Sequence, residues 1–196
     1  MRNTASSELE PVASREQKWL IEFRQGDITS RDAAFEALFR VYQRGVRGWI
    51  LRIVRDSAAA DDLTLETFWR IYRAHARFEP ERGFEPWARR IATHTAIDWL
   101  RTKKPEYAMD ATFFNDLSSP AAKDAAVSAE IRQKIALAFG RLRPGLRVAA
   151  ILAVIEERPY KEVAEALGIS VMAVKSRVFR ALRLLRKDLQ QQGITP

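Results

Sequence analysis

Residues 159 to 187, PYKEVAEALGISVMAVKSRVFRALRLLRK, have the spacing of a helix-turn-helix. Tyr160, Val163, Ala164 and Leu167 give a short helix one apolar face. Gly168 supplies a left-handed turn residue, Ile169 plugs the gap beneath the turn, and Ser170 caps the second helix. In that second helix Val171, Val174, Val178, Ala181, Leu185 and Leu189 are expected to pack inward. Met172, Lys175, Ser176, Arg177, Arg180, Arg183 and Lys187 then face out, and no acid interrupts residues 171 to 187. Such a helix suits the DNA major groove, where its first turns meet base edges and its later cations meet phosphates. Lys175 and Arg177 lie near the start, with Arg177 favoured for base reading; Arg183 and Lys187 lie two or more turns on, beside the backbone. A basic helix alone is more often merely solvated, and it is the turn chemistry that makes DNA the better reading.

Two further constellations lie earlier in the chain. Asp61, Asp62 and Glu66 share one helical surface, 62 and 66 being one turn apart. Like charges so placed repel by a few tenths of a kcal/mol, so a basic partner surface accounts for them. The helix dipole accounts well for Asp61 and Asp62 but less well for Glu66. The second is an aromatic and basic set: Phe68, Trp69, Tyr72, Arg73, Phe78, Phe84, Trp87, Arg89 and Arg90. Aromatics at helical spacing are more often core than function. Exposed beside Arg, however, they stack unpaired bases and grip a single strand. About half are expected in the core, with Trp69 and Trp87 among the least settled.

The elements that position these residues are read as helices throughout, because apolar residues recur at three- and four-residue steps and only eight glycines are present. A first helix from about Arg15 ends at Gly26, a C-cap candidate. A second begins near Ser30 as N-cap and carries Phe35, Leu38, Phe39, Tyr42, Val46, Trp49, Ile50 and Ile53 as one apolar stripe. A third spans about Ala60 to Arg77. After a loop, a fourth opens with Pro86 at its first position and runs to about Thr102. Residues 103 to 127 lose the periodicity and read as a linker, reaching roughly 80 Å extended and about 30 Å as a flexible coil. Helices are expected near 128 to 140, 144 to 157, 160 to 167 and 171 to 189. The resulting division is a disordered lead at 1–14, a four-helix domain at 15–102, the linker at 103–127, a helix-turn-helix domain at 128–189 and a tail at 190–196.

Composition narrows the function. The 196 residues carry 33 Lys plus Arg against 25 Asp plus Glu, a net charge of +8, so the chain attracts polyanions. Residues 128 to 189 hold 13 basic and six acidic side chains, against 17 and 15 in residues 1 to 101, so the excess sits in the second domain. With no cysteine, disulfides, thiolate metal sites and thiol catalysis are excluded, and His75 and His94 have no ligand cluster around them. No metal, cofactor or enzymatic activity is expected. The lead has no apolar signal core, and no run of eighteen apolar residues occurs, so membrane insertion and secretion are not expected and the cytoplasm is the expected location.

Three stretches, AADDLTLETFWRIYR, WARRIATHTAIDWLR and RPYKEVAEALGISVMAVKSRVFRALRLLR, resemble the second and fourth conserved regions of bacterial sigma factors of the extracytoplasmic-function type, within the sigma-70 family. QGDITSRDAAFEALFRVYQ is similar to the family's opening. The resemblance runs from about Gln25 to Leu189 and implies an all-α, two-domain specificity subunit that joins core RNA polymerase and directs it to promoters. It implies that Asp61, Asp62 and Glu66 dock on the coiled coil of the polymerase β′ subunit and that the second domain meets the β flap. Arg73, Phe78, Phe84, Trp87, Arg90, His94 and Arg101 are implied at the minus-ten element, and the helix-turn-helix at the minus-thirty-five element. An anti-sigma factor is a further implied partner. Leu65 stands where the family often has Gln, a departure that bears on the neighbouring polar contact and is open to a place in the core instead, and His94 stands where it prefers Asn. Asp98 and Arg101 match its closing Asp-x-x-Arg, as an ion pair or a phosphate contact. Two other readings stay open: a dimeric helix-turn-helix regulator independent of polymerase, and a basic helical module for RNA or anionic membrane surface.

Overall fold

The computed structural model describes residues 12–103 and 125–194. Most of the expected lead and linker therefore lies outside the described residues. The described residues form eight α-helices: α1 (Val12–Gln25), α2 (Ile28–Val54), α3 (Ser57–Arg73), α4 (Phe84–Thr102), α5 (Ala125–Arg141), α6 (Pro144–Ala150), α7 (Tyr160–Leu167) and α8 (Val171–Gln191). No strand occurs among the described residues, and no helix among them is long and apolar enough to cross a membrane.

Helix ends follow local chemistry, with four departures from expectation. The N-cap of α2 is Asp27, whose carboxylate accepts the Ser30 amide at 2.8 Å; Ser30 itself lies inside the first turn. Asp carries a full charge against the helix N-terminus, so it wins the role from a nearby Ser. Gly26 closes α1 by close approach, its amide 2.7 Å from the Glu22 carbonyl where an added Cβ would sit 2.5 Å from that oxygen. Pro86 takes the third position of α4 rather than the first, because Gly83, at φ 75°, starts the helix two residues earlier. The expected third helix breaks at Ala74 into short 3-10 turns at His75–Arg77 and Pro80–Arg82. The expected 144–157 helix loosens into a π-type segment at Ile151–Ile155, with the Glu156 amide on the Ile151 carbonyl.

Helices α1 to α4 wrap a core in which Phe23, Leu38, Trp49, Ile50, Ile53, Ile71, Phe78 and Phe84 are almost wholly buried. Phe23 is its hub, with ring centroids 5.9 to 6.3 Å from Phe35, Phe78, Phe84 and Trp87. The indole N–H of Trp49 donates to Thr93 Oγ1 at 2.9 Å, which satisfies the polar atom of the largest buried side chain. In the second half, Ala136, Phe139, Leu142, Ile151, Ala181 and Leu185 form a smaller cluster between α5, α6 and α8. The other side of that half, through Val148, Ala149, Leu152, Val163, Ala164 and Leu167, joins the core of the first.

Candidate nucleic-acid interface

The helix-turn-helix forms as its residues dictate. Gly168 takes the left-handed conformation at φ 64° and ψ 36°, where a Cβ is strained, and its amide closes α7. Ile169 packs half-buried beneath it, and the Ser170 hydroxyl accepts the Ala173 amide at 3.2 Å. Val174, Val178, Ala181 and Leu185 face inward, whereas Val171, expected to pack inward, is 40% exposed. Met172, Lys175, Ser176, Arg180, Arg183 and Lys187 are exposed on the opposite face. Arg177 is half-buried, its guanidinium lying 3.5 Å from where a Cβ on Gly145 would sit. It stands at the flank of the outward face, braced by the start of α6, and Lys175 and Ser176 beside it are the more exposed.

On α4, Trp87, Arg90, His94 and Arg101 recur at helical spacing along one face. Trp87 is half-buried and the other three are exposed. Arg70, Trp87, Arg90 and His94 line one open cleft of about 380 Å³, and Arg70, Arg73 and Arg77 line another of about 330 Å³ beside it. A larger cleft, about 640 Å³, is walled by Arg77, Arg82, Trp87 and Arg90 together with Glu165 and with Glu79, which pairs with Arg82 at 2.6 Å. Five arginines thus meet one aromatic edge, the combination that holds phosphates and stacks bases. Arg82 falls in the loop from Phe78 to Phe84 that the resemblance implicated, whereas sequence reasoning missed Arg70 and Arg77, which only the packing of α3 and the turn after it brings beside α4.

Two of the expected strand contacts are corrected. Phe78 and Phe84 are each 1% exposed, packed in tilted and edge-on contacts with Phe23 and Trp87, so neither side chain is placed to meet a base. Their place is beneath the cleft, holding its floor. Arg101 pairs with Asp98 at 3.2 Å, so the Asp-x-x-Arg spacing makes an ion pair within α4, and Arg70 of α3 takes the other Asp98 oxygen at 3.0 Å and ties the two helices together.

The acid surface of α3 also differs from expectation. Asp61 is not free for a partner: Arg47 of α2 holds it at 2.5 and 3.1 Å, and that guanidinium keeps its carboxyl below the usual carboxylate range. Glu66 accepts from Arg70 at 2.8 Å. Asp62 pairs with no cation among the described residues. Around it stands apolar surface. Leu65 is 63% exposed rather than in the core, and Trp69, one turn on, is 56% exposed. An exposed Leu and Trp flanked by carboxylates make a stronger interaction surface than the acids alone.

Comparison with known proteins follows this geometry. A family model for sigma-70 region 2 matches residues 38–106, and one for sigma-70 region 4 matches residues 132–185. The ECF RNA polymerase sigma factor SigW of Bacillus subtilis is 30% identical over 184 residues, covering 89% of this chain and 96% of that protein. The RNA polymerase sigma-H factor of Pseudomonas aeruginosa is 34% identical over 169 residues, covering 80% and 86%. The structure of CnrH in complex with the cytosolic domain of CnrY superposes with a TM-score of 0.55 at 22% identity, over 90% of this chain and 97% of that one, a likeness of fold.

Proposed function

The chain belongs to the sigma-70 family, among its extracytoplasmic-function (ECF) members, and from this premise we propose how its surfaces divide the work of promoter-specific initiation. It is a non-catalytic transcription initiation factor that binds core RNA polymerase and promoter DNA. In our reading the domain at 15–102 performs polymerase docking and minus-ten capture, the domain at 128–189 reads the minus-thirty-five element, and residues 103–127 join them. The site of action is the cytoplasm.

Docking to the β′ coiled coil is assigned to Asp62, Leu65 and Trp69, with Asp61 and Glu66 shaping the rim through their arginine pairs. The carrying observation is the exposed Leu65 and Trp69 beside an unpaired carboxylate. Minus-ten capture is assigned to Trp87, Arg90 and His94, with Arg73, Arg77 and Arg82 on the phosphates. Minus-thirty-five reading is assigned to Met172, Lys175 and Ser176, with Arg180, Arg183 and Lys187 on the backbone and Arg177 at the flank; the same domain would meet the β flap. CnrH, which this chain resembles in fold, was solved with the cytosolic domain of CnrY, and a protein partner of the anti-sigma kind is extended to this chain on that basis. Native-gel titration of core polymerase tests the docking assignment: Asp62→Lys should weaken co-migration with helicity unchanged, and undiminished co-migration of Asp62→Lys together with Trp69→Ala would refute it.

A further inference from the structure

The clefts beside α4 differ in what they offer a base. The one of about 380 Å³ is lined by Arg70, Ala74, Trp87, Arg90, Ile91 and His94. Arg70 and Arg90 present guanidinium N–H groups, which donate and never accept, and the indole N–H of Trp87 is likewise a donor only. Ala74 and Ile91 have no polar side-chain atom. The carboxylates of Glu79 and Glu165 line the larger neighbouring cleft instead. Those of Glu66 and Asp98 are taken by Arg70, at 2.8 and 3.0 Å. A captured base that needs a side-chain acceptor in this cleft must therefore find it on His94. The backbone decides what His94 offers. Its Nδ1 lies 2.8 Å from the Arg90 carbonyl oxygen, one turn back along α4. A carbonyl oxygen only accepts, so Nδ1 carries the proton of the neutral ring and the lone pair stays on Nε2. The residue is exposed, and Nε2 has no hydrogen-bond partner among the described residues. The same bond leans the ring toward the helix N-terminus, the direction in which Trp87 lies. An asparagine tip, which carries both an amide N–H and a carbonyl, could turn either group to a base. His94 in its neutral form turns only an acceptor.

We infer that His94 is the specificity-determining acceptor of the strand-capture cleft, and that it selects an unpaired base carrying an exocyclic amino group, cytosine or adenine, over thymine or guanine in the same register. The inference rests on the assignment of this cleft to minus-ten capture. The donors around the cleft hold phosphates, which every nucleotide has, and base carbonyls, so they position a strand without choosing an amino group. The choice falls to the one acceptor. Cytosine sets its N4 amino group, and adenine its N6 amino group, against the Nε2 lone pair; thymine and guanine set O4 and O6 there, two acceptors face to face with no proton to share. Leaving Nε2 and the base carbonyl opposed forfeits the bond and the solvation of both, so the difference between the two kinds of base exceeds that of a merely missing contact.

Cytosine and uracil isolate the amino group, since at position 4 one carries an amino group and the other a carbonyl. The probes are DNA single strands of about 12 nucleotides, alternating thymine with cytosine or thymine with uracil, titrated by fluorescence anisotropy at pH 8 with the full-length chain alone and assembled with core polymerase. Wild type should bind the cytosine strand about threefold to tenfold more tightly than the uracil strand, the range of one hydrogen bond. His94→Leu should bring that ratio to about one. His94→Lys, a donor only, should take it below one, and His94→Asn, which offers both groups, should hold both strands with a ratio near one. His94 is exposed, so all three variants should keep wild-type helicity by circular dichroism. A wild type that binds both strands equally overturns the inference, as does a cytosine preference that His94→Leu leaves intact. Arg90→Ala tests the underlying reading separately. If it weakens both strands while the wild-type ratio is one, the cleft captures a strand and only the role of His94 fails. If it leaves both affinities unchanged, or if neither strand binds the wild type in either form, the cleft assignment fails and the inference with it.

Discussion

Replacing Phe84 separates a core role from a DNA contact. Its ring is 1% exposed and lies 4.8 Å from Tyr42 and about 6 Å from Phe78 and Trp87, centroid to centroid. Phe84→Ala empties that site between α1, α2 and α4, and a Phe-to-Ala change in a packed core costs about 3–5 kcal/mol. At roughly 4 °C per kcal/mol for a unit of under a hundred residues, the melting temperature falls by at least about 12 °C if the first half unfolds alone. If both halves unfold as one, roughly 2 °C per kcal/mol gives at least about 6 °C. The loss should lie in folding only. Binding of a single strand, measured by anisotropy well below the lowered melting point, should stay within about twofold of wild type per folded molecule, whereas loss of a stacking contact would cost about 1–3 kcal/mol. A Phe84→Ala protein as stable as wild type but deficient in strand binding would refute the placement of this ring in the core.

Trp69→Ala and Leu65→Glu should each lower affinity for core polymerase by at least about tenfold without lowering helicity, because exposed apolar anchors dominate such surfaces. Lys175→Ala should cost about 1–3 kcal/mol on cognate duplex and relax sequence preference, whereas Arg183→Ala should weaken cognate and scrambled duplexes alike and flatten the salt slope by about one unit; a sequence-selective loss for Arg183→Ala would reverse the assignment. Thr93→Val leaves the buried Trp49 indole N–H without its acceptor. It should destabilise the fold by about 1–3 kcal/mol in denaturant titration, while an unchanged midpoint would remove the bond from the account.

Much of this was legible because local chemistry fixed it. Gly168 and Ser170 set the turn and cap of the helix-turn-helix within four residues of sequence, and the three- and four-residue apolar steps located every helix. What escaped depended on partners distant in the chain. Arg47 claims Asp61 from fourteen residues away across the α2–α3 pair, which no single-helix charge pattern encodes. Phe78 and Phe84 have the composition of a strand-binding loop, and only the position of Phe23 on α1 decides that they point down into the core. Leu65 and Trp69 sit at helical spacing compatible with either face. Their exposure follows from α3 burying Leu63, Phe68 and Ile71 against α2 and α4 instead. The contact of α7 with α4 joins segments more than fifty residues apart, and the spacing within either helix carries no trace of it.

Run-off transcription with purified core RNA polymerase tests the central claim most directly. Genomic fragments selected by the reconstituted holoenzyme serve as templates, and core alone is the control. The account predicts discrete transcripts that require this chain, that disappear with Asp62→Lys combined with Trp69→Ala, and that fall with Lys175→Ala in proportion to lost duplex binding. Absence of chain-dependent initiation on any selected fragment, with the protein folded and core active with another sigma factor, would contradict it.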